Sequence, residues 1–324
     1  MIGGRNTFRI LAGFALLLLL SATFSYLTLF SGTVGLSWSD VFVDDGSVLN
    51  RIFWDLRVPR LVAAVLAGIS LAVSGLSLQT LFRNPLAGPF VLGISSGASL
   101  GVALSLLAGF SFGHFGVLTS AAVGAFAVTF LVMFVSNHFR SSTVLLIVGL
   151  LVGYFIDALV NLLIVGSDAE ALKVFVSWGM GSFCRLTSDG IWIFALAVIV
   201  GCVLIGVSIR YLNAIRMGED FAKGLGVNVR LYKNLVLFGA SLLAASSTAF
   251  CGPVAFVGIA VPHLAFMLFK TGNHRLLLPG SALCGVTLCL SAGLFTMVPL
   301  NAILSLVGVP VVLLVITRGR GGRG

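Results

Sequence analysis

The chain has 324 residues, of which 59% are hydrophobic and only 9% are charged, and its mean hydropathy is +1.15. This composition excludes an ordinary soluble domain and is typical of a protein embedded in lipid. A bilayer core about 30 Å thick takes roughly 20 apolar residues per helix, so there is room for about ten crossings. We therefore predict one transmembrane domain, residues 1–324.

Uninterrupted apolar runs predict an all-α, polytopic fold with about ten transmembrane helices. The first run follows two arginines, like a signal peptide, but it is too long and lacks a small-x-small cleavage site, so we interpret it as a retained helix. The eighth run is short and bracketed by Pro253 and Pro262, which indicates a half-crossing inside the bundle. The less apolar stretch 168–189 predicts a short surface or re-entrant helix. The predicted helices cover residues 10–30, 59–80, 90–109, 117–136, 143–165, 190–212, 234–251, 255–270, 276–297 and 300–317.

The basic residues are distributed unevenly between the two sides of this topology. If the first residue lies in the cytoplasm, fourteen of the nineteen Lys and Arg residues fall on the cytoplasmic side, and seven of the ten acidic residues fall outside. This positive-inside bias predicts ten helices with both termini in the cytoplasm. It also accounts for the formal net charge of +9 without nucleic acid. The predicted external basic residues are Arg51, Arg57, Arg60, Lys173 and Arg185.

Two similar segments indicate an internal repeat. Residues 88–94 read GPFVLGI and open the third helix, while residues 252–259 read GPVAFVGI and open the eighth. The predicted topology puts the first at the cytoplasmic face and the second at the external face, which is the arrangement of an inverted repeat in transporters. The alternative is coincidence, because Gly-Pro before an apolar run is common.

Small residues along the third helix have two interpretations. Gly93, Gly97 and Gly101 recur every four residues, and the lack of side chains lets neighbouring backbones approach closely. Helix packing explains most of this pattern. The functional alternative is that this face, together with Ser95 and Ser96, lines a pathway for a bulky solute.

Asp157 and Asn161 lie four residues apart on one face of the fifth helix. A carboxylate in the apolar zone costs about 2.5–3.5 kcal/mol on insertion scales, so it should face the interior or a wet cavity. One interpretation is a pathway or proton-coupling role. The other, favoured because the chain has a single such acid, is a hydrogen bond to a neighbouring helix.

The cytoplasmic loop at residues 213–230 predicts a short amphipathic helix. Acidic residues come first, apolar residues follow at helical spacing, and a glycine ends the segment. Either the loop is a self-satisfied connector, or a partner protein covers its apolar side chains. The residues concerned are Gly218, Glu219, Phe221, Ala222, Leu225 and Gly226.

The sequence contains no catalytic or metal-binding constellation. No glycine-rich loop ending in Gly-Lys-Ser/Thr is present, so any ATP and Mg²⁺ must be bound by another chain. His263 has no second ligand at metal spacing and is interpreted as a hydrogen-bonded packing residue. The five cysteines show no ligand spacing, and only Cys184, in a predicted external loop, is interpreted as a free thiol.

The chain resembles the iron-siderophore, haem and cobalamin permease family of ABC importers. The matching motifs run in family order from the second helix almost to the C-terminus. They are Arg57-Val58-Pro59-Arg60-Leu61, Arg83-Asn84-Pro85-Leu86-Ala87-Gly88-Pro89, Leu92-Gly93-Ile94-Ser95-Ser96-Gly97-Ala98, Trp178-Gly179-Met180-Gly181-Ser182, residues 218–227, residues 252–258, Val261-Pro262-His263, His274-Arg275 and Leu278-Pro279.

The resemblance implies a homodimer of ten-helix subunits in the bacterial cytoplasmic (inner) membrane. It also implies a central pathway, two cytoplasmic ATPase subunits and an external solute-binding protein. On that basis residues 218–227 form the helix that couples the permease to the ATPase. Arg57 and Arg60 match the family's arginines that pair with acidic residues of the binding protein. The chain departs from the family at Gly293 and Met297, where an Asp and an Arg are usual, and the loop that follows is shorter.

We therefore expect a permease that translocates an iron chelate (ferric siderophore or haem) or cobalamin and is not itself an enzyme. No residue distinguishes these substrates. The alternative is an ion-coupled secondary transporter, which should contain several intramembrane acids around a midplane site, and only Asp157 fits. A membrane scaffold or enzyme would need a catalytic constellation or a soluble extension.

Overall fold

A computed structural model describes residues 4–31, 34–36, 41, 48–110, 116–138, 142–295 and 298–320. All regular structure in these ranges is helical, which confirms the all-α prediction. Among the described residues, seven helices are long and apolar enough to cross a membrane, and three shorter apolar helices accompany them. Together they correspond to the ten predicted runs.

The helices are numbered here in chain order. Their bounds are α1 Gly4–Phe30, α2 Val48–Arg51, α3 Val58–Phe82, α4 Ile94–Leu106, α5 Gly116–His138, α6 Ser142–Val165, α7 Ala169–Gly179, α8 Ser188–Val207, α9 Ile209–Ile215, α10 Glu219–Gly224, α11 Val229–Cys251, α12 Val257–Phe269, α13 His274–Gly293 and α14 Leu300–Arg320. A π-helical turn, Ile52–Arg57, joins α2 to α3, and a 3₁₀ turn, Phe183–Arg185, follows α7.

Several predicted boundaries are wrong. The third helix begins at Ile94 and not at residue 90, because residues before it form turns that end at Gly93, whose φ is +73°. The sixth run is interrupted at Ser208, where α8 ends and α9 begins. The seventh helix starts earlier than predicted, at Val229, because the Asn228 side chain accepts a hydrogen bond from the Leu231 N–H and caps it. The ninth helix ends earlier than predicted, at Gly293.

Helix α3 is the centre of the bundle. It packs against α8, α11, α12 and α13, and it is buried along most of its length. Helices α1 and α6 lie at the periphery and expose most of their apolar side chains. In a membrane protein such exposed apolar surface faces lipid or another subunit, so its exposure in one chain is expected.

Helices α4 and α12 are both half-crossings. Each has 13 residues and spans about 20 Å, shorter than a bilayer core. The first turn of α12 lies deep in the bundle, where Gln79 of α3 donates hydrogen bonds to the carbonyls of Gly258 (3.3 Å) and Ile259 (3.1 Å). The half-crossing prediction for the eighth run is therefore confirmed. The matching length of α4 and α12, and the Gly-Pro turns before them, support the inverted repeat.

Close backbone contacts hold the central helices together. A Cβ atom at Gly75 would overlap the Gly258 carbonyl of α12, and one at Gly68 would lie 2.6 Å from the Gly285 carbonyl carbon of α13. Glycine removes this steric barrier, and the helices gain dispersion contacts where lipid offers no competing hydrophobic drive. The glycines of α3 therefore determine how near its neighbours lie.

We expect Gly75→Ala to destabilise the bundle by roughly 1–3 kcal/mol, because the added methyl group must push α3 away from α12. The measurement is the thermal unfolding midpoint of the purified chain in detergent. Gly206→Ala is the matched control, since nothing lies within 4 Å of a Cβ at that helical glycine. Equal midpoints for the two variants would contradict the proposed contact.

Candidate functional site

Two cavities mark opposite ends of the bundle. One, of about 330 Å³, lies at the start of α3, beside the end of α13 and the start of α14. The other, of about 410 Å³, lies at the end of α3, beside the start of α13. Since Ser177 and Met180 line the first cavity and Arg216 lines the second, we call these ends the α7 end and the α10 end.

Helix α10 is the amphipathic helix predicted in the loop 213–230. Its C-terminus closes in a Schellman motif: the Gly226 N–H donates to the Lys223 carbonyl (2.9 Å) and the Val227 N–H donates to the Ala222 carbonyl (3.2 Å). Gly226 has φ of +75°, a conformation that favours glycine, so its predicted role as the helix stop is confirmed.

The acidic first turn of α10 is paired within the helix. The Lys223 ammonium lies 3.1 Å from Glu219 and 3.6 Å from Asp220. Hydrogen bonding and charge attraction from Glu219, reinforced by Asp220, raise the pKa of Lys223 above its ordinary value. Because all three side chains are exposed, these pairs contribute little stability and leave the helix dependent on its apolar contacts.

The apolar side chains of α10 divide between the bundle and the outside. Ala222 is fully buried. Met217, Phe221 and Leu225 are 71%, 50% and 61% exposed, respectively, and we call these three side chains the α10 surface. Each keeps half or more of its surface exposed in the described part of the chain, which a connector satisfied by its own contacts does not account for.

A chain of contacts joins α10 to the centre of the bundle. The Tyr211 ring in α9 is buried and stacks on Tyr232 of α11, with centroids 5.9 Å apart. Asn213 of α9 accepts hydrogen bonds at Oδ1 from the N–H and Nδ1 of His274, at 3.0 and 2.9 Å. The other His274 nitrogen lies 2.8 Å from the Thr80 hydroxyl of α3. These contacts therefore join the α9–α10 segment to α3, α11 and α13.

The two arginines predicted to dock a binding protein have different surroundings. Arg57 is only 8% exposed, and its guanidinium donates to the carbonyls of Leu29 (2.6 Å) and Val34. Arg60 lines the cavity at the α7 end and, among the described residues, makes no hydrogen bond or ion pair. Arg57 thus holds the chain after α1 in place, and Arg60 is the member of the pair available to a partner.

Two residues that the sequence analysis did not single out organise the α7 end. Arg185 donates to the carbonyls of Trp178 (3.0 Å) and Ser177 (2.6 Å), which caps the C-terminus of α7, and burial lowers the pKa of Arg185. Asn301 of α14 donates to the carbonyls of Gly179 and Pro253, at 3.1 and 2.7 Å. The arginine just after a helix was a usable signal, whereas nothing in the sequence marked Asn301.

The predicted pathway residues of α4 lie mostly between helices of the same chain. A Cβ at Gly97 would meet the Gly124 carbonyl of α5, and one at Gly93 would lie 3.0 Å from the Gly149 carbonyl of α6. Ser95 is buried and Ser96 is half-buried. The packing interpretation accounts for these glycines, and their role in a pathway stays a prediction.

Asp157 and Asn161 are exposed on the outer face of α6. In the part of the chain that the structure describes, neither side chain makes the expected hydrogen bond to a neighbouring helix. Tyr154, one turn earlier, is also exposed. This face therefore presents polar groups to whatever lies outside one subunit.

Four other residues were named in the sequence analysis: His263, Cys184, Gly293 and Met297. His263 forms a 3.0 Å hydrogen bond with the Pro85 carbonyl, as its packing role requires. Cys184 is exposed as a free thiol. Gly293 lies against the Phe183 ring, and Met297 is outside the described residues.

Comparison with known proteins identifies a family and several relatives of this chain. The model of the FecCD transport family matches residues 11–318. The hemin transport system permease protein HmuU of Yersinia pestis is 34% identical, over 99% of both chains. The vitamin B12 import system permease protein BtuC of Vibrio cholerae and the molybdate import system permease protein MolB of Haemophilus influenzae are also 34% identical. The BtuC match covers 88% of both chains, and the MolB match covers 85% of this chain and 84% of MolB.

A solved structure has the same fold. It is an inward-facing conformation of a metal-chelate type ABC transporter, with a TM-score of 0.83 and 32% identity over 93% of this chain and 97% of that one. The chain therefore belongs to the FecCD transport family and is a multi-pass membrane permease of the ABC importer type.

Proposed function

We propose that two copies of this chain form the membrane pathway of an importer that brings an iron chelate, haem or cobalamin into the cytoplasm. Two ATPase subunits bind at the α10 end, in the cytoplasm, and a solute-binding protein docks at the α7 end, outside. The observation that carries the proposal is the α10 surface, an uncovered apolar patch on a helix that is mechanically joined to the bundle.

The coupling step follows from those contacts. Phe221 and Leu225 enter a cleft on the ATPase, which removes their exposed apolar area from water. When ATP binding closes the two ATPase subunits, α10 moves with the cleft. Ala222 and the Asn213–His274–Thr80 hydrogen bonds pass this displacement to α3 and α13.

A second copy of the chain provides a polar environment for the outer face of α6. Polar side chains in an apolar span are costly when they face lipid, so Asp157 and Asn161 require a polar partner or a water-filled space. A homodimer that places the two α6 helices on either side of a central pathway meets this requirement. In that arrangement Asp157, Asn161 and Ser96 border the solute's path.

The proposed substrate is a chemical class of solute, and the proposed cofactors belong to the ATPase. The similar proteins are named for hemin, vitamin B12 and molybdate, so their names span tetrapyrroles and an oxyanion. The larger, chelate-type solutes are favoured because one solved relative is described as metal-chelate type. ATP and Mg²⁺ are held by the ATPase, and the permease passes a solute delivered by its binding protein.

We expect Leu225→Asp to weaken association with the ATPase about thirtyfold or more, because it puts a carboxylate at the centre of an apolar contact. The measurement is co-purification with the ATPase subunit, followed by ATP hydrolysis in proteoliposomes. Val176→Asp is the matched control, since Val176 is similarly exposed but lies on α7 at the opposite end. Normal assembly of Leu225→Asp would refute the coupling role of α10.

The same proteoliposomes identify the solute. Binding proteins loaded with ferric siderophore, haem, cobalamin or molybdate are added in turn, and the cognate one should stimulate ATP hydrolysis. Stimulation by molybdate alone would overturn the chelate assignment and leave the importer assignment intact. Solute movement driven by an ion gradient without any ATPase, and blocked by Asp157→Asn, would overturn the importer assignment itself.

Substitution of Arg57 should affect folding stability, whereas substitution of Arg60 should affect docking of the binding protein. Arg57→Ala removes buried charge-assisted hydrogen bonds and should lower stability by roughly 1.5–3 kcal/mol, measured by thermal unfolding. Arg60→Ala should leave stability unchanged but weaken binding-protein association, with a reduced salt dependence. If Arg60→Ala unfolds more easily and Arg57→Ala does not, these roles are reversed.

Labelling of Cys184 tests which end of the chain lies outside the cell. A membrane-impermeant maleimide should label it in intact cells, because it is exposed at the α7 end, whereas Cys251, Cys284 and Cys289 are buried. Asp220→Cys, in a Cys184→Ser background, should be labelled only after the membrane is permeabilised. The opposite pattern would place the α10 end outside.

A further inference from the structure

The cavity at the α10 end concentrates positive charge. Its volume is about 410 Å³, and its walls come from the end of α3, the middle of α12, the start of α13 and the segment after α9. Arg83 and Arg216, which are exposed, lie at its rim, and the half-buried His263 also lines it. A concave, low-dielectric wall strengthens the field of such charges.

No acidic side chain of these elements balances that charge. The sequence has no Asp or Glu between residues 56 and 156, and none after Asp220. The nearest acids along the chain from Arg216 are Glu219 and Asp220, and both are paired with Lys223. The cavity therefore attracts an anion from outside the chain.

Arg83 is positioned but not paired. Its backbone ends α3 in the left-handed region (φ 51°, ψ 34°), where glycine is usual, so a large side chain is kept there at a conformational cost. Within the described ranges its guanidinium makes no hydrogen bond or ion pair. Arg216 donates to the Gly272 carbonyl, which orients it and leaves its other N–H groups available.

The inner wall of the cavity is apolar. Leu76, Phe266 and Leu277 line it below the arginines. From Leu76 to Arg83 the cavity follows α3 for about 10 Å into the membrane-spanning part of the helix. The cavity is thus cationic at the membrane surface and apolar beneath, and the buried His274–Thr80 contact gives it a rigid floor.

We infer that this cavity binds the phosphate group of an anionic phospholipid. Arg83 and Arg216 contact the phosphate, since guanidinium groups match its geometry, and the glycerol and first acyl carbons cover Leu76, Phe266 and Leu277. Basic pockets between transmembrane helices on the cytoplasmic side bind anionic headgroups in this way. Free phosphate shares the headgroup's chemistry but leaves the apolar wall uncovered. The inference rests on membrane insertion with the α10 end in the cytoplasm, as proposed above, and not on the proposed transport activity.

The test is lipid binding to the purified full-length chain in detergent, measured by native mass spectrometry. The probes are dihexanoyl phosphatidylglycerol, dihexanoyl phosphatidylcholine and inorganic phosphate. Phosphatidylglycerol should bind most tightly, and Arg83→Gln should weaken it about fivefold. Arg83→Lys should retain most of the binding. Arg230→Gln, which removes an exposed charge outside the cavity, should change nothing.

Four outcomes would overturn the assignment. Equal binding of the two lipids, or an unchanged Arg83→Gln variant, would show that no anion site exists. Inorganic phosphate that binds as tightly as phosphatidylglycerol, and depends on Arg83, would assign the site to a soluble phosphate. Carbodiimide cross-linking of the Arg83→Lys variant to a co-purified ATPase subunit would assign it to a protein carboxylate.

Discussion

Every backbone polar group inside the apolar bundle must find a partner, and the architecture depends on how this requirement is met at the two half-crossings. A full helix satisfies its own backbone, but α12 starts deep in the bundle after an irregular segment. Two side chains supply hydrogen bonds there. Gln79 donates to the carbonyls of Gly258 and Ile259, and the Gly258 carbonyl has no helical N–H partner because Pro262 stands four residues later. Asn301 donates to the Pro253 carbonyl and accepts a hydrogen bond from the Ala255 N–H (3.0 Å). These contacts join α3 and α14 to the same irregular segment.

The close approach of α3 to α12 and α13 makes this arrangement stiff. Glycines at the contact points leave no flexible side chains to absorb a displacement, so neighbouring helices move together. The α9–α10 segment is attached to this rigid centre through Asn213 and His274. A surface helix of six residues is therefore attached to the central helices, although it has little stability of its own.

The arginines at the two ends of the bundle differ in whether backbone carbonyls bind them. The guanidinium groups of Arg57 and Arg185 are consumed by backbone carbonyls at the α7 end, where they hold irregular segments in place. Arg60 and Arg83, at opposite ends of α3, make no such bond in the described part of the chain. The two arginines of residues 57–61 thus differ: Arg57 is bonded to the fold, Arg60 is not, and only their surroundings distinguish them.

The sequence by itself determined the all-helical membrane fold, the ten apolar runs, the family and the position of α10, because hydropathy, charge bias and a glycine stop are local signals. It did not determine that Arg57 is buried, that α4 is a half-crossing, or that the glycines of α4 pack against α5 and α6. These facts depend on contacts between residues far apart in the chain. Nor did it reveal the cavity at the α10 end, since its lining residues Arg83, Arg216 and His263 come from three separate segments. Only the tertiary structure decided which of the many similar arginines, glycines and amides contact which backbone groups. The reason is that each contact depends on which backbone group of another segment lies opposite the residue.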